Sequence, residues 1–163
     1  MSRAAVVRLL GVVTVVAVLG AAWAGWSWWR DTHDETTTRA RDRDAVLSAA
    51  SAALVALNTM DYHNAGPSVD RWIEVTTGTL GSSLSGDRQL HLDRANSSRT
   101  ESTATVNQAA VADLHGDTAR VIAVLDVRLS TGGAPGSANR ARLNAELTRT
   151  PQGWKVDSVQ AAS

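Results

Sequence analysis

The chain has 163 residues with sixteen basic and sixteen acidic side chains, four His and no Cys. Arg3, Arg8 and Arg30 apart, Asp31 to Ser163 carries thirteen basic against sixteen acidic residues, a slight acidity that argues against a nucleic-acid surface, and the lack of Cys excludes disulfides, zinc–thiolate sites and a cysteine nucleophile. With no Phe and one Tyr, a single domain-sized core has to close on Leu, Val and abundant Ala, so backbones must approach closely to leave no voids.

Leu9 to Trp29 holds no charged residue, and a helix of that length, roughly 31 Å, matches the ~30 Å hydrocarbon thickness of a bilayer. Trp23, Trp26, Trp28 and Trp29 crowd its C-terminal end, where amphipathic indoles sit at the membrane interface. A cleaved secretory signal is the competing reading, with Arg3 and Arg8 as basic region, Leu9–Leu19 as apolar core and Ala22-Trp23-Ala24 as cleavage site. The apolar run continues past that cut, which a signal does not require. A soluble core helix is disfavoured by the Trp cluster and the missing polar face. Basic residues flank both ends (Arg3 and Arg8 before; Arg30, Arg39, Arg41 and Arg43 after), so the positive-inside count alone does not orient the span. The long downstream part places the N-terminus in the cytoplasm and the domain outside. The expected organisation is a cytoplasmic tip and transmembrane anchor over 1–30, a linker over 31–40 and an extracytoplasmic domain over 41–163, in a single-pass plasma-membrane protein.

From about Arg41 to Met60, Val46, Ala50, Leu54 (or Ala53) and Leu57 recur at helical spacing. Gly66 and Pro67 are expected to stop that segment, and Ser68 to cap a second helix burying Val69, Trp72 and Ile73. Gly78 and Gly81 interrupt the next stretch, and a short helix is expected over Asp87–Arg94. Beyond about Ser102 the period becomes two. Ala119, Val121, Ala123, Leu125, Val127 and Leu129 alternate with Arg120, Ile122, Val124, Asp126 and Arg128, one apolar and one mixed face of a long strand. A strand well above the usual 5 to 6 residues implies a curved or bulged sheet. Turns at His115-Gly116-Asp117 and Pro151-Gln152-Gly153 and a loop over Gly132–Ser137 separate strands over Thr103–Leu114, Thr118–Leu129, Ala138–Arg149 and Trp154–Val159. Helices followed by a four-stranded antiparallel meander define an α+β domain.

Asp61-Tyr62 at a helix end, Thr77-Gly78, Ala109-Ala110-Val111 before a Gly-Asp turn, Ala119-Arg120-Val121 opening a long strand and Gly153-Trp154-Lys155-Val156 together resemble the actinobacterial Mce-associated (mammalian-cell-entry-associated) membrane proteins over nearly the whole chain. The resemblance implies a nuclear-transport-factor-2-like, cystatin-like cone, with helices packed on a curved antiparallel sheet, similar to the periplasmic domain of the type IV secretion inner-membrane assembly subunit. It also implies an accessory role in Mce systems, which import lipids such as sterols or fatty acids across the cell envelope. The sequence departs from the family pattern at Gly78-Thr79-Leu80-Gly81, where the helix is expected to be short and glycine-broken.

Catalytic readings are weak. Asp61, Tyr62 and His63 are consecutive and diverge by about 100° on a helix, and Tyr62 is expected to be a core aromatic with its hydroxyl at the rim. Asp126 shares a strand face with Arg120 and Arg128, which points to an exposed ion pair. His33, His63, His91 and His115 lack metal-ligand spacing. Gly81-Ser-Ser-Leu-Ser85 lacks the last Gly of a nucleophile elbow, and Gly132-Gly133 precedes a strand, unlike a phosphate loop. The expectation is a non-enzymatic accessory or scaffold subunit of an Mce-type lipid import system, without cofactor or metal, whose partners are the lipid bilayer and Mce-complex subunits; self-association is left open. The alternatives are a cone that binds or isomerises a lipid or steroid, with Trp72 or Tyr62 near the mouth, and a type IV secretion-like assembly subunit.

Overall fold

A computed structural model describes residues 38–134 and 136–162. Two compact units divide the chain, Met1–Asp42 and Arg43–Ser163; of the first, 38–42 is described and is helical. The expected span, with Trp23, Trp26, Trp28 and Trp29, lies outside the described residues, as does His33. Among the described residues no helix is long and apolar enough to cross a membrane.

The second unit opens in α1 (residues 43–57), whose stripe of Val46, Ala50, Ala53 and Leu54 is fully buried, as helical spacing requires. The helix stops because its last carbonyls find other donors. Asn58 Nδ2 and Thr59 Oγ1 donate to the Leu54 and Val55 oxygens at 2.8 and 2.7 Å, and Trp72 Nε1 reaches Ala56 O at 2.8 Å. Side chains thus satisfy the groups that a helix C-terminus leaves unpaired. Gly66-Pro67 therefore does not end this helix. It opens the next one, because a missing N–H costs nothing in a first turn.

β1 (Met60–Asp61) and a 3₁₀ turn (Tyr62–Asn64) lead into α2 (Ala65–Val75), α3 (Gly78–Gly86) and α4 (Arg88–Ser98). Asn64, in place of Ser68, occupies the N-cap position of α2. Ala65 and Val69 are buried, with Trp72 and Ile73 packed beside them. The expected break at Gly78–Gly81 is a regular helix. Gly78 starts it at φ +58°, and Gly81 is buried where a Cβ would come within 3.2 Å of the Thr76 carbonyl carbon. Glycine permits the helix to lie against its own entry segment. α4 runs four residues beyond the expected Arg94 and ends at Arg99, in the left-handed region at φ 48°.

Four long strands come next, β2 (Thr100–His115), β3 (Thr118–Thr131), β4 (Ser137–Thr150) and β5 (Gly153–Ala161), and β1 joins the β2 edge to give the order β1-β2-β3-β4-β5, each neighbouring pair antiparallel. The two-residue β1 was not anticipated from sequence, since a strand that short carries no periodicity. β3 and β4 pair without interruption. The irregularities fall on their neighbours: Asn107 and Ala112 have no partner across β3, and Asp157 has none across β4. Each extra residue bends its strand and increases twist, and the sheet curls so that α1 packs into its inner face. That face supplies Ala104, Ala119, Val121, Ala123, Leu125, Ala145, Leu147 and Val156 to one core with α1. Four of these eight are Ala, which is how a chain without Phe keeps helix and sheet in contact.

Candidate functional site

The inward alternation of β3 outlasts the cover that α1 provides. Leu125 is fully buried, Val127 half-buried and Leu129 44% exposed. Beyond the end of α1 these last two side chains look into a groove of 310 Å³, closed on the other side by Leu57, Met60, Trp72 and α4. α4 contributes His91, Arg94, Ala95 and Ser98, residues at i, i+3, i+4 and i+7 on one helix face. The His91 ring meets Trp72 edge-on at 5.8 Å between centroids. Arg94 makes no ion pair among the described residues, and the lining contains no carboxylate.

Much of the polar chemistry around the groove is spent internally. Trp72 Nε1 donates to Ala56 O and, at 3.2 Å, to Thr59 O; Asn58 Nδ2 is held by Leu54 O; Ser98 Oγ donates to Arg94 O at 2.7 Å. What remains is a largely apolar trough lined also by His91 and Ser102, with one guanidinium on its rim.

The outer face of the sheet carries a second feature. Arg140 Nε donates to Asp126 Oδ1 at 2.8 Å, and Asn107 Nδ2, projecting from its bulge, donates to Oδ2 at 3.1 Å. Asp126 is therefore in an exposed cross-strand pair, as expected, but its partner is Arg140 on β4 rather than Arg120 or Arg128 on its own strand. The Arg140 and Asn107 hydrogen bonds hold its carboxyl below the usual range. Ile122, 45% exposed, lies on the same face.

A third cluster lies at the opposite end of the strands, where Asp113, His115, Arg120, Glu146 and Asp157 line an open, polar cleft. His115 Nδ1 and Asp113 Oδ1 are 2.8 Å apart. Asp157, unpaired in the ladder, aims its carboxylate at the start of α3, where a Cβ on Gly78 would overlap its Oδ1. Thr76 bridges Val156, and Thr77 N donates to Val156 O at 2.8 Å. The Thr77-Gly78 and Gly153-Trp154-Lys155-Val156 segments, distant in sequence, thus meet at one joint.

The other sequence candidates are not brought together. Asp61 Oδ1 accepts from His63 N at 2.9 Å and begins the 3₁₀ turn. Tyr62, expected at a helix end and in the core, is half-buried in that turn with its ring 3.9 Å from that of His63, away from the groove. Ser82 and Ser85 donate back to Gly78 O and Gly81 O within their own helix. Gly132 and Gly133 form the β3–β4 connection, both at positive φ. Among the described residues no group of three or more His, Asp and Glu could hold a metal ion. Sequence reasoning passed over Arg94; the His91–Arg94–Ala95–Ser98 spacing was the available signal, but only the fold shows what that face looks onto.

A curled antiparallel meander with helices packed on its concave side is a cone-type α+β domain. The chain resembles, at a TM-score of 0.59 and 16% identity, an IcmL-like type IV secretion system protein from Legionella pneumophila, covering 74% of this chain and 91% of that one. The periplasmic domain of DotI matches at 0.57 and 17% identity, over 72% and 92%. A proposed aromatic ring hydroxylase from Novosphingobium aromaticivorans matches at 0.54 and 18%, over 75% and 94%. At such identities the likeness establishes the fold alone. No curated protein matches the sequence. The chain belongs to the family described as "Uncharacterized protein Rv1363c/MT1408-like", whose model matches residues 4–160.

Proposed function

We propose that the chain is a non-enzymatic assembly subunit of a multiprotein envelope complex, held in the plasma membrane by Leu9–Trp29 with its cone outside. The observation that carries this reading is the fold, shared over nine-tenths of their length with an IcmL-like secretion protein and with the periplasmic domain of DotI. The long outer sheet face, polar apart from exposed side chains such as Ile122, offers a partner a surface that no helix of the second unit covers.

Two kinds of machinery fit. The fold favours a secretion-like assembly. An Mce-type lipid importer rests on the sequence resemblance alone, two of whose motifs, Thr77-Gly78 and Gly153-Trp154-Lys155-Val156, meet at one joint. Affinity purification of the tagged full chain from native membranes in mild detergent decides between them. Co-purifying Mce permease subunits support the importer, and co-purifying secretion channel subunits support the other. Recovery of the lone polypeptide under every mild condition overturns the assembly role, and release by alkaline washing overturns the anchor.

A further inference from the structure

The groove beneath α4 has the chemistry of a ligand site, independent of any role in assembly. We infer that it binds a single-chain amphiphile with an anionic head, the head on Arg94 and the tail laid over Leu57, Met60 and Trp72 toward Leu129.

The groove is small: 310 Å³ lies at the lower end of small-ligand clefts, about 300–1,000 Å³, and gives room for one alkyl chain. The sign of the head is set by charge. Arg94 carries the groove's permanent charge, it has no ion-pair partner among the described residues, and no lining carboxylate opposes an incoming anion. A guanidinium offers a carboxylate or phosphate two parallel hydrogen bonds. The nature of the tail is set by hydrogen-bond accounting. The Trp72, Asn58 and Ser98 donors are already engaged, so His91, Arg94 and Ser102 are left to meet the many backbone amides that a peptide laid here would bury, which is costly. An alkyl chain brings no such groups. Leu129, 44% exposed, carries the apolar lining out to the surface, and Leu90, 54% exposed, lies one turn before Arg94 on α4.

The test uses the full chain in phosphatidylcholine liposomes, labelled with a diazirine-bearing dodecanoate and, in a parallel arm, the matching dodecanol; adducts are mapped by mass spectrometry. Arg94 is exposed, so Arg94→Gln should unfold at the wild-type temperature. The expected result is dodecanoate adducts on α4 and the end of β3, competed by unlabelled dodecanoate. Losing the charge-assisted hydrogen bonds should cut these adducts about tenfold in Arg94→Gln while leaving dodecanol labelling unchanged. Leu129→Gln should weaken labelling by both probes. Equal dodecanoate labelling of Arg94→Gln and wild type, or adducts confined to residues outside the groove, would overturn the assignment. Neither result bears on whether the chain co-purifies with envelope subunits, so failure here leaves the assembly reading standing.

Discussion

At the scale of single residues, the informative positions are those whose backbone or neighbours admit few alternatives. Arg99 closes α4 in the left-handed region, a conformation that costs a side-chain-bearing residue roughly 1–2 kcal/mol. Arg99→Gly should therefore stabilise the domain, by up to about 1 kcal/mol after the unfolded-state entropy of glycine is counted; an unchanged urea midpoint would contradict this. Gly78 combines a positive φ with the Asp157 carboxylate standing where its Cβ would be. Gly78→Ala should destabilise by about 2 kcal/mol or more, and adding Asp157→Ala should restore only the steric part, leaving roughly the 1–2 kcal/mol of left-handed strain. A double mutant no more stable than the single would show that the overlap is not what makes glycine necessary there.

At the scale of elements, Trp72 ties two helices together, because its indole N–H caps α1 while its ring belongs to α2. Trp72→Phe keeps most of the ring and removes the hydrogen bonds to Ala56 O and Thr59 O, so a loss of about 1–2 kcal/mol in chemical denaturation is expected. Trp154 behaves in the opposite sense. Its Nε1 is buried without a hydrogen-bond partner, and the Arg149 guanidinium sits 4.7 Å from the ring centre. Trp154→Phe removes an unsatisfied donor that costs about 1–3 kcal/mol and keeps an aromatic face for Arg149, so it should be neutral or stabilising; a large loss would mean that the indole N–H has a partner in solution.

At the scale of the whole molecule, some of the charges form exposed pairs between elements, among them Arg88–Asp70 and Arg140–Asp126. Asp70 is held below the usual carboxylate range first by its hydrogen bond from Arg88, and Asp126 by those from Arg140 and Asn107. Both have folded pKa values below their unfolded ones. Their contribution is fully present above the unfolded value of about 3.9 and is lost as pH falls through the folded values. Unfolding free energy should hence be insensitive to these two groups between pH 5 and pH 8 (a range set by that pKa of about 3.9) and decline in stronger acid. Asp126→Asn combined with Asp70→Asn should flatten that decline, as followed by thermal unfolding against pH.

Read alone, the sequence determined what depends on local spacing. The stripe of α1 and the alternation of β3 state which side chains turn inward, and the turns at Gly116 and Gly153 state where strands reverse, because periodicity and backbone allowance are properties of a few neighbouring residues. Tertiary structure alone decided the rest. Gly66-Pro67 opens a helix because Asn58, Thr59 and the distant Trp72 have already ended the previous one. Asp126 pairs across to β4 because register, not chain order, sets its neighbours. The groove exists because α1 ends at Leu57 while β3 runs on, which leaves Val127 and Leu129 to face α4 and brings Arg94 to their rim. These are relations between segments far apart in sequence, made by packing, and no local pattern encodes them.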